Sequence, residues 1–442
     1  MTTGTRGRAV VIGGGIAGSL AAVALLGRFE RIVVVERDRY PDGPAFRPGT
    51  PQGRHAHLLL ESGRRALQQL VPGLDAELEA AGAVRVPVPT GLRWLSSGGW
   101  FPRYPSELTI TCCTRPLLDA AVRRRAEAEE SVEFRQATEV VGLLGGRSGI
   151  TGVTVRERGG AGSPVEEVRA DLVVDASGRT SGTAQWLREL GCPAPAEESV
   201  DAGVAYSTRF YRRPPGTDAP RSVVYIQTQA PDHPRLGVLL PVEKDRWIVS
   251  VGGMRGAEPA PGEAGFAAQL GLLRDPLLNE VLAGAEPEGE VRGFRAGPSV
   301  RRRYEQGAPA GLVVLGDAAC TFNPVYGQGM TIAALGALVL RDTLREFGAD
   351  PSVTRRVQRG VAAVAKDAWM MSSAEDVRFR STVGGPSGSL IRLQHRYLDR
   401  VIAQSCRDEA VCSAFVDVMS LLSPPTSLFH PRVAWPVLRG QG

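Results

Sequence analysis

The stretch Ala9-Val10-Val11-Ile12-Gly13-Gly14-Gly15-Ile16-Ala17-Gly18 carries the reading of this chain. An apolar run enters a string of glycines, and one more glycine follows after Ile16 and Ala17. An Ala/Leu-rich segment over residues 19–29 comes next, then a second apolar run, Ile32-Val33-Val34-Val35, that ends at Glu36. The pattern predicts strand, tight turn, helix and strand. In such a unit Gly13 permits the turn, Gly15 lets a pyrophosphate approach bare backbone, and Gly18 lets helix and strand pack closely. Ile16 and Ala17 open the helix, whose free N–H groups and positive dipole end face the phosphates. Glu36 stands where a carboxylate accepts hydrogen bonds from a ribose hydroxyl, and Arg37 continues the charged run beside it. A dinucleotide site is expected here.

Two further glycine-marked stretches lie downstream. Asp171-Leu172-Val173-Val174-Asp175-Ala176-Ser177-Gly178-Arg179 reads as a buried strand ending in an acidic turn. Gly311-Leu312-Val313-Val314-Leu315-Gly316-Asp317 reads as another, followed by Pro324-Val325-Tyr326-Gly327-Gln328-Gly329-Met330 and an apolar helix pattern over residues 330–340. Asp317 is then expected at the carboxyl end of a central strand, where doubly wound sheets bind ligands. The helix starting near Gln328 aims its positive end at an anionic group, and Gly327 and Gly329 leave bare backbone for a flat ring.

Composition narrows the class. The chain has 442 residues, 43% hydrophobic and 22% charged, as in globular proteins, and is long enough for two or three substructures. Net charge is +5, but the longest basic runs, Arg123-Arg124-Arg125 and Arg301-Arg302-Arg303, are short and lack interleaved aromatics, so no nucleic-acid partner is expected. Six cysteines without C-x-x-C spacing imply reduced thiols and a cytoplasmic location. No signal peptide is expected, and the apolar pattern at 330–340 is too short to span a bilayer. The absence of H-E-x-x-H, of G-x-S-x-G with partners and of a Cys/His cluster argues against a metal site or a hydrolase.

The spacing of the three glycine-marked stretches makes the intervening chain loop out and return. The expected fold class is α/β, with a Rossmann-like FAD-binding domain interleaved with an antiparallel-sheet substrate domain and followed by a helical C-terminal region. Residues 1–83, 104–198 and 297–345 are assigned to the first, 84–103 and 199–296 to the second, and 346–442 to the third. Within 199–296 the apolar alternation predicts an antiparallel sheet with one covered face.

Taken together, these residues resemble class A flavin monooxygenases, the para-hydroxybenzoate hydroxylase and squalene epoxidase group, over most of residues 8–345. The resemblance implies non-covalent FAD, with Asp317 on the ribityl chain. It puts Arg115, which opens a helix with Pro116 in the first turn, near the pyrophosphate. Arg54, Val140, Pro324 and Met330 complete the expected cofactor contacts. More narrowly, Pro51-Gln52-Gly53-Arg54-His55-Ala56-His57, Asp171-Leu172-Val173-Val174-Asp175, the Gly316-to-Gly327 stretch and Arg246-Trp247-Ile248-Val249 look like bacterial polyene epoxidases of polyether antibiotic pathways, the lasalocid and monensin type. Asp175-Ala176-Ser177-Gly178 departs from the family's Asp-Gly motif, which contacts flavin and nicotinamide.

The chemistry so implied is transfer of one oxygen from O2 through a flavin hydroperoxide, to an alkene of a large apolar polyketide or terpenoid intermediate. Such a step needs no protein nucleophile. The residues do not identify a catalytic group; Arg54 and His57 are candidates. The alternatives are hydroxylation of an aromatic or polyketide ring, a flavoprotein reductase, and a non-redox cyclase on the same fold. A halogenase would carry Trp-x-Trp-x-Ile-Pro and a catalytic lysine; here Trp247 has no partner tryptophan, and the lysines are Lys244 and Lys366. No second G-x-G-x-x-G unit is present, so electrons would come from NAD(P)H bound transiently at the flavin face or from a partner flavin reductase.

Overall fold

The computed structural model describes residues 6–159, 163–214 and 222–439. The ends of the expected segments at 1–5 and 440–442, and residues 160–162 and 215–221, lie outside the described residues.

The strand Arg6–Ile12 occupies the middle of a five-stranded sheet in the order Leu312–Val314, Leu172–Asp175, Arg6–Ile12, Phe29–Val35, Val132–Arg135, every pair parallel. Val10, Val11, Val173, Val174, Leu312 and Val313 are fully buried, as continuous apolar runs are when helices cover both faces. Register places Ile12 opposite both Val35 and Asp175, and Asp175 opposite Val314. The carboxyl ends of the three strands therefore coincide, and the three glycine-marked turns emerge side by side. The helices Ile16–Leu25, Arg115–Glu127 and Gly329–Phe347 pack around this end of the sheet. An antiparallel meander, Thr138–Gly146, Gly149–Glu157 and Val165–Arg169, packs beside it.

A seven-stranded sheet runs Glu286–Arg295, Ala205–Arg212, Arg246–Gly253, Arg235–Val242, Val223–Ile226, Leu92–Ser96, Gly99–Trp100. Its pairs are antiparallel except Val223–Ile226 with Leu92–Ser96, because the latter strand arrives from the other part of the chain. The expectation of one covered face fails for the central strands, which are buried on both faces, while the edge strand Glu286–Arg295 stays largely exposed. Trp247, Val249 and Val251 pack against the helices Gly262–Gly271 and Leu277–Leu282, while Ile248, Leu240 and Val242 pack with Val401, Phe415 and Val416 of the C-terminal helices. Burial is unbroken through 247–253, so the run is apolar on both sides of the pleat rather than alternating.

The C-terminal helices also reach the parallel sheet. Gln358, on the helix Thr354–Asp376, accepts from the Val314 amide (2.9 Å) and donates to its carbonyl (3.2 Å), closing an otherwise open sheet edge. A four-stranded sheet links Glu197–Asp201 and Ser299–Arg302 to Cys320–Thr321 and Val383–Gly384. Among the described residues no helix is long and apolar enough to cross a membrane.

Candidate functional site

Each glycine of the first turn is explained differently by its surroundings. Gly13 has φ of 90°, and a Cβ there would lie 2.8 Å from Ser177 Cα, so the turn needs glycine both for its dihedral and for its contact with the next strand. A Cβ on Gly18 would lie 1.8 Å from the Gly13 carbonyl oxygen, which is the close helix–strand approach the motif demands. Gly15 is unlike both. Its φ of −74° and ψ of −171° suit any residue, and a Cβ would meet only Arg47 Nη2, at 3.8 Å. Among the described residues nothing requires glycine at 15. The bare surface beside it lies at the N-terminus of the helix Ile16–Leu25, whose first amides have no partners within the helix.

Glu36 ends the strand Phe29–Val35 and is 4% exposed. One carboxylate oxygen accepts from the Gly14 amide (2.8 Å) and the other from the Asp38 amide (2.9 Å). Arg47 spans Glu36 and Asp38, at 3.0 Å from each. Tyr40 completes the corner: its hydroxyl donates to the Gly14 carbonyl (2.9 Å), and Arg123 stacks 4.0 Å over its ring. Arg47 and Tyr40 were not singled out by sequence reasoning. They lie in a proline- and glycine-rich connection whose local pattern carries no such signal.

Asp317 sits in a short turn directly after the strand Leu312–Val314, with Gly316 before it at φ of 56°. A Cβ on Gly316 would lie 3.0 Å from Ala17 Cβ, and one on Gly329 would lie 3.6 Å from Asp317 Oδ1, so the first and third motifs meet here. Burial raises the Asp317 carboxyl, opposed by the positive charges of Arg179 and Arg115. Among the described residues nothing donates a hydrogen bond to that carboxyl; its backbone carbonyl accepts from Thr321 (2.8 Å). Arg115 opens the helix Arg115–Glu127, is held by Asp119 at 2.6 Å, and lines one cavity with His57 and Met330 and another with Arg47 and Arg123.

Pro324 starts a one-turn segment that Asn323 caps by accepting from the Val325 amide (3.1 Å). Gly327 follows in the left-handed region at φ of 64°, and Gln328 precedes the helix Gly329–Phe347 with its side-chain amide oxygen buried and without a partner. The loop bearing Arg54 lies across this cluster: a Cβ on Gly53 would be 3.6 Å from Arg115 Cγ, and Arg54 stacks 4.7 Å over Phe46. His55 Nδ1 shares a hydrogen bond with Thr208 Oγ1 at 2.7 Å, fastening the loop to the seven-stranded sheet, and Ser250 continues the chain. Burial pushes His55 down to about 3, helped by His57 and Arg54, and burial with Arg115 pushes His57 down to about 4, so both rings are neutral at pH 7.

Gly13, Gly15, Ile16, Ala17, Gly18, Arg115, Asp317, Gly327, Gly329 and Met330 thus share one end of the parallel sheet, with Glu36 at its flank and Arg54, His57 and Pro324 on the loops above. Arg37 follows Glu36 and is exposed, and Val140 lies in the antiparallel meander, packed on the main core. Asp175 is fully buried; its carboxylate accepts from the Ser177 amide (2.9 Å) and hydroxyl (2.6 Å) and from Ser181, so it secures its own turn.

Comparison with known proteins agrees with this architecture. The family described as FAD binding domain matches residues 7–347. Protein Rv3254 of Mycobacterium tuberculosis is 32% identical over 94% of this chain and 89% of its own length. The 6-methylpretetramide 4-monooxygenase of Streptomyces rimosus is 26% identical over 80% of this chain and 78% of its own length. Among solved structures, p-nitrophenol 4-monooxygenase PnpA of Pseudomonas putida shares the fold at a TM-score of 0.65 and 17% identity, over 95% of this chain and 99% of that one.

Proposed function

Because the chain belongs to the FAD binding domain family and is an FAD-dependent monooxygenase, we propose that it epoxidises alkenes of a large apolar natural-product intermediate, using one oxygen atom of O2. The residues present suit the cofactor. Gly15 leaves backbone bare where no protein atom needs it so, the Asp317 carboxyl has no hydrogen-bond donor among the described residues, and the Gln328 amide oxygen is buried without a partner. On this reading the helix N-terminus behind Gly15, Ile16, Ala17 and Gly18 holds the pyrophosphate with help from Arg115 and Arg54, Glu36 holds the adenosine ribose, and Asp317 holds the ribityl hydroxyls. Pro324, Gly327, Gly329 and Met330 then face the ring. Residues 1–83, 104–198 and 297–345 act as the cofactor domain, 84–103 and 199–296 as the substrate domain, and 346–442 as its cover.

The observation that supports the substrate class is the aromatic cluster beyond that loop. Tyr326 lies near Tyr225, whose ring is 5.8 Å from Trp94; Trp94 packs edge-on with Phe101 (5.0 Å), and Phe101 with Phe415 (5.5 Å). These rings pack together in the core between the seven-stranded sheet and the C-terminal helices, an apolar wall against which an extended apolar molecule would dock. His55 and His57, neutral, offer it no charge. When bound and reduced, the flavin supplies an electrophilic oxygen from O2, and the protein's part is to position the alkene and exclude water. Electrons come from NAD(P)H at the flavin face or from a partner flavin reductase.

The name of the Streptomyces rimosus relative, a 4-monooxygenase, favours ring hydroxylation as the second reading. Turnover under labelled dioxygen decides: one label with loss of a C=C bond supports epoxidation. Retention of every alkene with a new labelled hydroxyl supports the second reading, and an unlabelled product refutes both.

A further inference from the structure

Asp376 ends the helix Thr354–Asp376, beyond the residues 7–347 that match the family. It is fully buried, yet no step above uses it. Its Oδ1 accepts two hydrogen bonds from the loop between Asp317 and Gly329: Asn323 Nδ2 at 2.7 Å and the Tyr326 hydroxyl at 2.8 Å. Asn323 is itself buried, and its other amide atom caps the turn Pro324–Tyr326. One carboxyl oxygen thus grips both ends of that turn, immediately before Gly327 reverses the chain and Gln328 leads into the helix Gly329–Phe347. Asp376 is anchored in turn, since its backbone carbonyl accepts from Thr382 Oγ1 at 2.6 Å.

We propose that Asp376 is a positioning residue for the flavin-facing loop, its shared hydrogen bonds to Asn323 and Tyr326 setting where Pro324, Gly327 and Gly329 present themselves to the ring. The proposal rests on the reading that this loop faces flavin. A second feature points the same way. Asp376 Oδ2 is buried with no partner, which a neutral carboxyl tolerates far better than an anion. Burial, with Glu375 and Asp201 nearby, pushes this carboxyl up to about 7 despite its two donors. The facing groups are accounted for: Glu375 pairs with Arg378, Asp201 pairs with Arg255, and burial together with Asp376 and Glu375 pushes the Tyr326 hydroxyl well above its usual range. The grip therefore changes charge near neutral pH, and the loop should report it.

The test uses the purified, FAD-loaded protein, with flavin fluorescence for affinity and the visible spectrum for ring environment. Asp376→Ala is expected to weaken FAD about 10-fold or more, to alter the spectrum and to divert O2 to hydrogen peroxide. Asp376→Asn keeps an acceptor at Oδ1 and is expected to restore affinity and coupling, while abolishing a wild-type spectral change with midpoint near pH 7. Tyr326→Phe removes one of the two donors and should fall between. Asp317→Ala serves as the control on the reading itself. If Asp317→Ala loses FAD while Asp376→Ala and Tyr326→Phe keep wild-type affinity and spectrum, the positioning role is overturned and the reading stands. If Asp317→Ala is also without effect, the reading falls and the proposal with it. Should Asp376→Ala fail to fold, Tyr326→Phe and the pH response of Asp376→Asn decide alone.

Discussion

Gly15→Ala separates the demands of the fold from those of the cofactor, because at this position the two diverge. Adding a Cβ meets no protein atom nearer than 3.8 Å, and the backbone already lies in a region open to alanine. Replacing glycine there reduces the freedom of the unfolded chain, worth about 0.4–1 kcal/mol in favour of the native state. Against this, Gly15 is the N-cap of the helix Ile16–Leu25, where alanine is worse than glycine by roughly 0.5–1 kcal/mol. The two terms nearly cancel, so the cofactor-free protein should keep its stability. Cofactor affinity should not survive: a methyl group in the path of the pyrophosphate costs about 1–3 kcal/mol if it behaves like other overpacked contacts, a loss of about 5- to 150-fold. Gly18→Ala should invert the result, since its Cβ would lie 1.8 Å from the Gly13 carbonyl oxygen and helix and strand must separate. The assay pairs a fluorescence-quenching titration of FAD into cofactor-free protein with urea unfolding of the same samples. Unchanged FAD affinity in Gly15→Ala would refute the placement of the pyrophosphate, and Gly15→Val, with a larger side chain, should strip the cofactor altogether.

Asp317→Ala removes an acceptor from buried hydroxyls and should cost roughly 1–3 kcal/mol of FAD binding, read in the same titration; an unchanged dissociation constant places Asp317 outside the site. Burial pushes His55 down to about 3, so its contribution is fully present above pH 6.5 and is lost as pH falls toward 3. By pH 5 that loss reaches about 2 kcal/mol, and His55→Gln should flatten the stability curve between pH 7 and 5; parallel curves for the two proteins contradict the neutral, buried state of the ring. Trp94 donates to Gln227 at 2.9 Å within the packed aromatic cluster, so, if that cluster walls the substrate site, Trp94→Phe should raise the substrate KM about 5- to 10-fold while leaving FAD affinity untouched. Loss of FAD with an unchanged KM would contradict a place for the cluster at the substrate site.

Much of the fold is legible in the chain itself, because its information is local. A continuous apolar run followed by Gly13 or Gly316 states both a buried parallel strand and the dihedral needed to leave it, and the 3.6-residue pattern after Gly329 states the helix. These are constraints between neighbours, readable in the residues that bear them. The sequence also carried Gly13, Gly18 and Asp317 as separate signals, and the family resemblance added Arg115. Their convergence followed from strand register, which aligns Ile12, Asp175 and Val314. The tertiary structure alone decided the rest. Arg47 on Glu36 and Asp38, His55 on Thr208, Gln358 on the sheet edge, and Asp376 beneath Asn323 and Tyr326 join residues from separate elements. An arginine or aspartate in a loop or helix reads as solvated until packing removes water from it. Only then does burial make each polar group find a partner, and that choice belongs to the assembled core, as does the covering of both faces of the central strands of the seven-stranded sheet by helices from opposite parts of the chain.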